Sequence, residues 1–420
     1  MTSTSNITAT PAEADQRVLR GRRGFPLLPG GAGRSNFAMG APVPYAVRGE
    51  GYRLWDDRGA ELIDANNNFT TLIHGHAHPH IVEAAERAVR DGACYGLPNI
   101  YEWQHAELLL SRLPELDQVR YTNSGTEAVM TAVRVARGAT GRDAVVVVRD
   151  AYHGTSEVGL STGDDRLRRG VPAGVLRDIT RVTVNDAAGL AAVVEQAPDR
   201  YAAIVIDLLP NRAGLVTVEP AFMALARSLA DDHGIVLICD EIITFRLSPG
   251  GLSGALGIPP DLMTLGKLIG GGFPVGAVVG REAFMRELNP HASTALEHGG
   301  TFTANPVTMA AGVASLELLS AEAIARINAL GDEARQQVAD SLAGIGWEVR
   351  GRGSLLRPFP KGQTSVDKQT QRAIWWAAYE RGLLLSQHTV AALSTPMDRG
   401  VVHAVADRLS DAVLAVAERG

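Results

Sequence analysis

The sequence has few cysteines, no long apolar run and no excess of positive charge. Only two of its 420 residues are cysteine, Cys94 and Cys239, which is too few for a disulfide framework and favours a reducing compartment. No stretch is apolar over the length needed to cross a bilayer, and the first residues, MTSTSNITAT, lack the apolar core of a secretory signal. The formal net charge is −6, and no run of Lys and Arg indicates a nucleic-acid-binding surface. We therefore expect a soluble cytoplasmic protein that binds neither nucleic acid nor membrane.

The chain is long enough for a large domain and a smaller one. A Gly- and Pro-rich stretch ends at Tyr45, and two alternating runs after it predict a hairpin. From residue 119 onward, short apolar runs alternate with helical patterns, which is typical of a mostly parallel sheet covered on both faces. The runs are AVVVV (144–148), AIVI (203–206), IVLIC (235–239) and VGAVV (275–279). We predict an α/β fold with an N-terminal arm and part of the small domain at 1–44, a large domain at 45–290 and a smaller α+β domain at 291–420.

The segment NSGTEA (123–128) follows a strand-like run and begins a helix whose apolar positions recur at helical spacing. Ser124 and Glu127 have the spacing of a capping box, which by itself indicates an ordinary helix start. The same segment is suited to hold a phosphate. Gly125 lets a ligand approach the backbone, and the hydroxyls of Ser124 and Thr126 lie beside the free N–H groups of the helix start. This motif alone leaves both interpretations open.

Two further segments follow apolar strands, at the sheet edge where open α/β sheets bind their ligands. In AYHG (151–154), the ring of Tyr152 is suited to stack on a flat heteroaromatic ring, and a tyrosine packed in a turn is the simpler alternative. In VLICDEIITFR (236–246), the strand ends in Asp240 and Glu241, and a carboxylate buried there needs a partner. A protonated ring nitrogen is one such partner, with a helix cap or a solvated loop as the alternative. We expect no metal, because no His or Cys follows at ligand spacing.

Lys267 lies in the apolar, glycine-rich run TLGKLIGGGFPVGAVVG (264–280). Lysine is seldom buried without a partner, and burial lowers the pKa of its amine, which makes the neutral amine available for a Schiff base. The glycines at 270–272 let a backbone pass close to a bulky group. A solvated lysine in a surface turn is the alternative, and the apolar flanks argue against it.

In order and spacing, these segments resemble the class III aminotransferases of fold type I, which use pyridoxal 5′-phosphate (PLP). Within them the sequence is similar to the branch of glutamate-1-semialdehyde aminomutase and the β-amino-acid aminotransferases. The resemblance runs from about residue 28 into the C-terminal region. The matching segments are LPGGAGRS, LWDDRGAELID, GHAHP, YTNSGTEAVMTAVRVAR, AYHG, CDEIITFRL, TLGKLIGGGFPVGA and HGGTFTANPVTMAAG. It implies PLP as cofactor, a small-molecule amino donor and acceptor, and a homodimer with shared active sites.

The resemblance also implies a role for each matching residue. Lys267 would carry the cofactor as a Schiff base and transfer protons as a general base, and Asp240 would pair with the pyridine nitrogen. Tyr152 would stack on the ring, with His153 beside it. The phosphate would be held by Ser124, Gly125 and Thr126 and, from across the dimer, by Thr301 in the HGGTF segment.

Two segments bear on how a substrate carboxylate is bound. Arg34, in GGAGRS, matches a position that binds this group in the β-amino-acid branch, and a guanidinium suits the task because it donates two parallel hydrogen bonds. An arginine of the arm or of the surface is the equally supported alternative. The STPMD segment (394–398) lacks the arginine that forms a second carboxylate clamp in some relatives.

The segment AIVIDLLPNRAG (203–214) departs from the family pattern, in which a strand ends in Glu-Pro and a Gln-Gly pair follows. In our alignment, Leu208 stands at the position of the glutamate and Asn211 at that of the glutamine. This alignment predicts the loss of a polar partner near the cofactor and a changed reach to the 3-oxygen of its ring.

The resemblance predicts an intermolecular aminotransferase that moves an amino group between an amino acid, β-amino acids included, and a keto acid or aldehyde. Two alternatives keep the cofactor: an aminomutase of the glutamate-1-semialdehyde type, which moves the group within one substrate, and a racemase. A third alternative is a non-catalytic binding subunit, since a fold alone does not fix a function. The presence of Lys267, Asp240 and the phosphate-binding motif argues against this last alternative.

Overall fold

The computed structural model describes residues 27–418 of the chain. Residues 1–26, which include most of the predicted N-terminal arm, lie outside the described residues. In chain order the strands are β1 Ala46–Glu50, β2 Arg53–Asp56, β3 Glu61–Asp64, β4 Gln118–Thr122, β5 Ala144–Val148, β6 Ile179–Val182, β7 Tyr201–Asp207, β8 Val236–Asp240, β9 Leu262–Gly266, β10 Gly276–Gly280, β11 Trp347–Arg352, β12 Leu355–Pro360, β13 Leu383–Leu384 and β14 Ala391–Ala392.

The α-helices lie between these strands and after them. They are Pro79–Asp91, Ile100–Leu110, Gly125–Thr140, Glu157–Leu160, Ala173–Arg177, Ala187–Gln196, Pro220–His233, Gly251–Leu256, Glu282–Met285, Pro306–Leu318, Ala321–Ser341, Lys368–Glu380 and Arg399–Ala417, with a four-residue helical turn at Asn67–Thr70. Short 3₁₀ helices are Pro29–Gly31, Ser35–Phe37, Pro198–Arg200, Thr244–Leu247, Lys267–Gly270 and Arg286–Leu288.

The large sheet has seven strands in the order β4-β10-β9-β8-β7-β5-β6. Strand β10 runs antiparallel to both of its neighbours, and the other pairings, from β9 to β6, are parallel. The prediction of a mostly parallel α/β sheet is therefore confirmed. The run VGAVV, predicted together with the parallel strands, forms the antiparallel one.

Helices cover both faces of this sheet, because its strands are apolar on both sides. In β5, Val147 packs into the core that contains helix Gly125–Thr140, and Val146 packs into the opposite core, with helix Pro220–His233. Each fully buried valine or leucine of this kind stabilises the fold by roughly 1.5–3 kcal/mol. Helix Pro220–His233 ends at Gly234, whose φ of 61° is the left-handed conformation that glycine adopts readily.

A second body of structure joins residues from both ends of the described chain. Strands β1, β2 and β3 form an antiparallel meander, so the predicted hairpin has a third strand, and β13 pairs with β3 in parallel. Helices Ala321–Ser341, Lys368–Glu380 and Arg399–Ala417 share one core beside this sheet and the small sheet β11-β12-β14. The domain boundaries at residues 45 and 290 stay a prediction.

Within residues 27–418, no single helix is both long and apolar enough to cross a membrane. Helices Pro306–Leu318 and Ala321–Ser341 satisfy the length and hydropathy criteria only when taken together, and they meet at a bend of 73°.

Candidate active site

The carboxyl ends of β7, β8 and β9 lie side by side, and each ends at or next to an ionisable residue. In the pairing of β7 with β8, Asp207 is opposite Asp240, and Lys267 directly follows the last residue of β9. Because parallel strands place their carboxyl ends at the same edge, residues from three distant parts of the chain meet there. This edge carries the candidate site.

Asp240 is held in place by His153. The Nδ1 atom of His153 donates to Oδ2 of Asp240 at 2.6 Å, and Ile242 N donates to Oδ1 at 3.1 Å. His153 is fully buried. Burial lowers the pKa of its imidazole, but the hydrogen bond to Asp240 and the negative charges of Asp240 and Asp207 together raise that pKa above its ordinary value. These hydrogen bonds therefore fix the orientation of the Asp240 side chain at the end of β8.

Lys267 lies next to this pair and is half-buried. Burial lowers the pKa of its amine, and the charges of Asp240 and Asp207 raise that pKa. Burial has the larger effect, so the pKa is lowered to about 8. Its φ of 52° is unusual for a residue with a side chain, and such backbone conformations cluster at functional sites. The lysine is thus held at the sheet edge with an amine that loses its proton more easily than a solvated one.

Ser124, Gly125 and Thr126 form the start of helix Gly125–Thr140, as predicted. The Ser124 side chain accepts a hydrogen bond from Glu127 N at 3.2 Å, and the Glu127 carboxylate accepts from Asn123 N rather than from Ser124. The hydroxyl of Ser124 therefore caps the helix and still has its own proton to donate. All three residues line a cavity of about 330 Å³, which Lys267 and Tyr152 also line.

Gly154 lies against this helix start at a place where no larger residue fits. A Cβ at Gly154 would lie 2.2 Å from Oγ1 of Thr126, and the φ of Gly154 is +87°. A Cβ at Gly125 would lie 2.6 Å from the Ile242 side chain. Both glycines keep the backbone close around the cavity, as a phosphate cradle requires.

A second cavity, of about 310 Å³, shares Lys267 and Tyr152 with the first and extends away from the helix start. Arg34 lines it, so the structure places the predicted carboxylate-binding arginine at the same cavity as the lysine. The Nη1 atom of Arg34 donates to Oδ1 of Asn68 at 3.1 Å, and its guanidinium lies over the rings of Phe37 and Phe69, at 4.9 and 5.3 Å. The other N–H groups of the Arg34 guanidinium are the donors available to a ligand.

The sequence analysis missed the segment that orients Arg34. Asn67, Asn68, Phe69 and Thr70 have φ values of 49°, 47°, 58° and 74°, so they form a left-handed turn without any glycine. A left-handed conformation costs roughly 1–2 kcal/mol per residue with a side chain. Asn68 and Phe69 of this turn line the 310 Å³ cavity. The three consecutive asparagines at 66–68 were the only local signal, because asparagine tolerates this conformation better than most residues.

Thr301 is exposed and lines neither of these two cavities. Its predicted role requires a second copy of the chain, so within one chain its distance from the site is expected. The role stays a prediction.

The structure corrects the alignment of residues 203–214. Leu208 is fully buried in the apolar core and lies one residue beyond the end of β7, whereas Asp207 ends that strand opposite Asp240. The strand therefore does end in a carboxylate, and the predicted loss of a polar partner is wrong. Burial and the charge of Asp240 raise the pKa of Asp207 to about 7. Asn211 and Arg212 line the 310 Å³ cavity.

These residues fit PLP on several independent observations. The helix start and Gly154 leave backbone-lined space for a phosphate, the fixed carboxylate of Asp240 is suited to a protonated ring nitrogen, and the amine of Lys267 is buried beside both. The exposed ring of Tyr152 lines the two cavities that meet at this lysine. A sheet of this topology with such a site defines a PLP-dependent enzyme of fold type I.

Comparison with known proteins agrees with that class. The family model of aminotransferase class-III matches residues 38–397. The glutamate-1-semialdehyde 2,1-aminomutase of Syntrophobacter fumaroxidans is 39% identical over 308 residues, which cover 71% of each chain. A solved structure described as a transaminase with PLP bound is 34% identical, with a TM-score of 0.90 over 98% of this chain and 100% of that chain. A β-phenylalanine aminotransferase from Variovorax paradoxus is 30% identical, with a TM-score of 0.86 over 94% of this chain and 93% of that chain.

The chain belongs to the class III aminotransferases. It is a PLP-dependent enzyme that acts on a small-molecule amino donor and acceptor, as the sequence predicted. The roles of the single residues at this site stay predictions.

Proposed function

We propose that this enzyme is an intermolecular aminotransferase in which Lys267 is the residue that carries PLP. The observation behind this proposal is the position of the lysine. It lines the cavity at the helix start of Ser124, and it lies close enough to Asp240 for that charge to act on its amine. With a pKa of about 8, roughly one amine in ten is neutral at pH 7, against fewer than one in a thousand for a solvated lysine. Bound PLP stabilises the negative charge that develops on the amino-bearing carbon of the substrate.

The other residues hold and orient the reactants. The Asp240 carboxylate, fixed by His153, would hold the ring nitrogen of PLP and favour its protonated form. The backbone N–H groups at Gly125 and Thr126, with the hydroxyls of Ser124 and Thr126, bind the phosphate. The Nζ atom of Lys267 would act as the general base that takes a proton from the amino-bearing carbon of the substrate.

Arg34 is proposed to bind the carboxylate of the substrate. Its guanidinium is already held by Asn68 and by two aromatic rings, so little entropy is lost when a carboxylate binds. The relative from Variovorax paradoxus acts, by its name, on β-phenylalanine. On this support we include β-amino acids among the proposed substrates.

An aminomutase is the second candidate, and the relative from Syntrophobacter fumaroxidans is the specific observation in its favour. An aminomutase needs no separate amino acceptor, whereas an intermolecular enzyme forms product only when both an amino donor and a keto acid or aldehyde are present. Turnover with and without an acceptor separates the two.

We also propose a C2 homodimer with shared sites. Large apolar side chains are exposed around the loop that carries Thr301, and exposed patches of this kind mark interfaces. These side chains are Val82, Val89, Leu97, Ile100, Trp103, Phe273 and Phe302. Asn99 Nδ2 donates to Ala304 O at 2.9 Å, which fixes residues 97–103 beside that loop. In the proposed dimer, Thr301 reaches the phosphate in the site of the partner subunit.

A cytoplasmic location is proposed on the support of the cysteines. Cys94 is exposed and Cys239 is buried, and both are free thiols, as a reducing compartment favours.

The test uses the small number of lysines, which are Lys267, Lys361 and Lys368. The holoenzyme is reduced with borohydride, which fixes the cofactor to its lysine, and the labelled peptide is identified by mass spectrometry. We expect the label on Lys267, an unlabelled Lys267→Ala variant with turnover reduced by several orders of magnitude, and a control Lys361→Ala variant that behaves like the parent. A label on Lys361 or Lys368 would contradict the proposal.

The reaction type is read from the absorption spectrum of the same holoenzyme. An amino donor should bleach the visible band, and a keto acid should restore it. If no amino donor bleaches the band with release of a keto product, the aminomutase or the racemase is favoured.

A further inference from the structure

Arg212 lies in the loop after β7 and lines the same 310 Å³ cavity as Lys267 and Arg34. Its guanidinium lies over the ring of Tyr152, at 4.4 Å from the ring centre. Its Nη1 atom is buried and has no hydrogen-bond partner among residues 27–418. A guanidinium at a cavity with an unused, desolvated donor is unusual in a folded protein, because buried polar groups are nearly always hydrogen-bonded.

No carboxylate of the described chain neutralises Arg212. It forms no ion pair within 4.0 Å there, although Asp150 and Asp164 are near enough for their charges to favour its charged form. Burial is the largest influence, and it lowers the pKa of Arg212. An arginine remains charged even so, and a partly buried cation without a contacting anion costs free energy.

A second buried arginine lies close to Arg212. Arg357, only 2% exposed, donates from Nη1 to Asn211 O at 3.0 Å, and its Nε atom is buried without a partner in the described part of the chain. His388 lines the cavity as well. Burial and the charges of Arg357 and Arg212 lower the pKa of His388 to about 4, so this histidine is neutral at pH 7. This wall of the cavity is therefore cationic, and an anionic ligand completes it.

We propose that Arg212 binds a carboxylate of the substrate, as a second subsite in addition to Arg34. Because both arginines line one cavity with Lys267, the amino or keto acid that uses both is a dicarboxylate. The Tyr152 ring holds the Arg212 guanidinium at the cavity, and a guanidinium can donate two parallel hydrogen bonds to the two oxygens of a carboxylate. This inference deepens the proposed function and rests on it for the identity of the site.

The test measures binding without turnover, so that it does not depend on the reaction type. Glutarate has two carboxylates and butyrate has one, and neither carries an amino or keto group. Their affinities for the holoenzyme are measured by calorimetry for the parent, for Arg212→Met and for a control variant, Arg350→Met. Arg350 belongs to the same cationic region but is paired with Glu348 and does not line the cavity.

We expect Arg212→Met to weaken glutarate binding by roughly 10- to 100-fold, the range for a hydrogen bond to a charged group. Butyrate binding should change by less than about threefold, since Arg34 still binds its carboxylate, and Arg350→Met should leave both affinities near those of the parent. In turnover, Arg212→Met should raise KM for a dicarboxylic substrate more than it lowers kcat.

Three results would overturn the proposal. One is an unchanged glutarate affinity in Arg212→Met. Another is an equal loss in Arg350→Met, because general positive charge would then account for the binding. The third is a loss of PLP from Arg212→Met, seen in the absorption spectrum, together with a glutarate affinity that returns once PLP is added in excess. Arg212 would then hold an anionic oxygen of the cofactor and not the substrate. If glutarate binds as expected while no amino donor bleaches the visible band, the proposed function fails and the carboxylate subsite stands.

Discussion

The close contact between Gly154 and Thr126 gives a direct test of the proposed phosphate cradle. In a Gly154→Ala variant, the new Cβ would lie 2.2 Å from Oγ1 of Thr126 and 2.7 Å from its Cβ. Ordinary contacts between such atoms are about 3.5–4.0 Å, so Thr126 must move by about 1 Å or more. A displacement of that size would remove the Thr126 hydroxyl from its proposed hydrogen bond to the phosphate.

The change also has a backbone cost, which a matched variant isolates. Gly141 ends the helix that begins at Gly125, and its φ of +68° lies in the same left-handed region as the +87° of Gly154. A Cβ at Gly141 would meet nothing within 4 Å. Both alanine variants should therefore lose about 1–2 kcal/mol of stability through the backbone, and only Gly154→Ala should displace Thr126.

A hydrogen bond to a charged group contributes about 1.5–3 kcal/mol, which corresponds to roughly 10- to 100-fold in the dissociation constant of PLP. We expect that loss for Gly154→Ala relative to Gly141→Ala, measured by titrating each apoenzyme with PLP and following the visible absorption. Thr126→Val keeps the shape of the side chain without its hydroxyl, so it should show the same loss of affinity at little backbone cost. A PLP affinity of Gly154→Ala within threefold of that of Gly141→Ala would refute the phosphate-binding role of Thr126.

Two further predictions concern the carboxylates at the strand ends. Asp240→Asn should lower kcat by about 10²- to 10³-fold, the range for losing one preorganised electrostatic contact, while PLP affinity falls much less. An unchanged kcat would contradict the role of Asp240. For Asp207, burial raises the pKa of the folded state to about 7 from its ordinary value of 3.8, so the folded carboxyl binds a proton that the unfolded one releases. Its ionisation costs stability increasingly from pH 4 to 7, and the full cost is present above pH 7. We therefore expect the melting temperature of apo Asp207→Asn to rise relative to that of the apo parent as the pH increases from 4 to 7. A difference that stays constant over this range would show that ionisation of Asp207 is not its cause.

The parts of the site that sequence reasoning placed correctly are those in which a local pattern has a single geometric outcome. A strand of buried apolar residues must end where its pattern ends, which placed Asp240 and Lys267 at one sheet edge. The Ser-Gly-Thr segment must begin a helix, because the apolar stripe after it has helical spacing, and Val129 and Ala132 of that stripe are fully buried. The expected loss of a polar partner at residues 203–214 was wrong because strand β7 ends in Asp207, opposite Asp240, and the next residue, Leu208, packs into the apolar core. The sequence pattern alone did not show at which of these two residues the strand ends.

The left-handed turn could not be predicted, because distant residues determine it. Asparagine adopts this conformation at moderate cost, but Phe69 and Thr70 do not favour it. The turn is fixed by contacts made late in the chain: the Nδ2 atom of Asn67 donates to Ala392 O at 2.6 Å, across 325 residues of sequence. Strained backbone persists only where its surroundings determine it this fully. A sequence pattern describes neighbours along the chain, so it carries no information on such a contact.

Arg246 connects this turn to the electrostatics of the lysine. It is fully buried, and it donates to Thr70 O at 3.3 Å, to Leu393 O and to Ser354 Oγ, with no carboxylate of residues 27–418 within ion-pair distance. Its charge also lowers the pKa of Lys267, against the two carboxylates that raise it. A buried cation without a contacting anion costs free energy because it is removed from water. Here it holds the carbonyl groups that shape the turn beside Arg34, and it favours the neutral amine at Lys267. The proposed substrate binding at Arg34 and the proton on the lysine would therefore both depend on this buried charge.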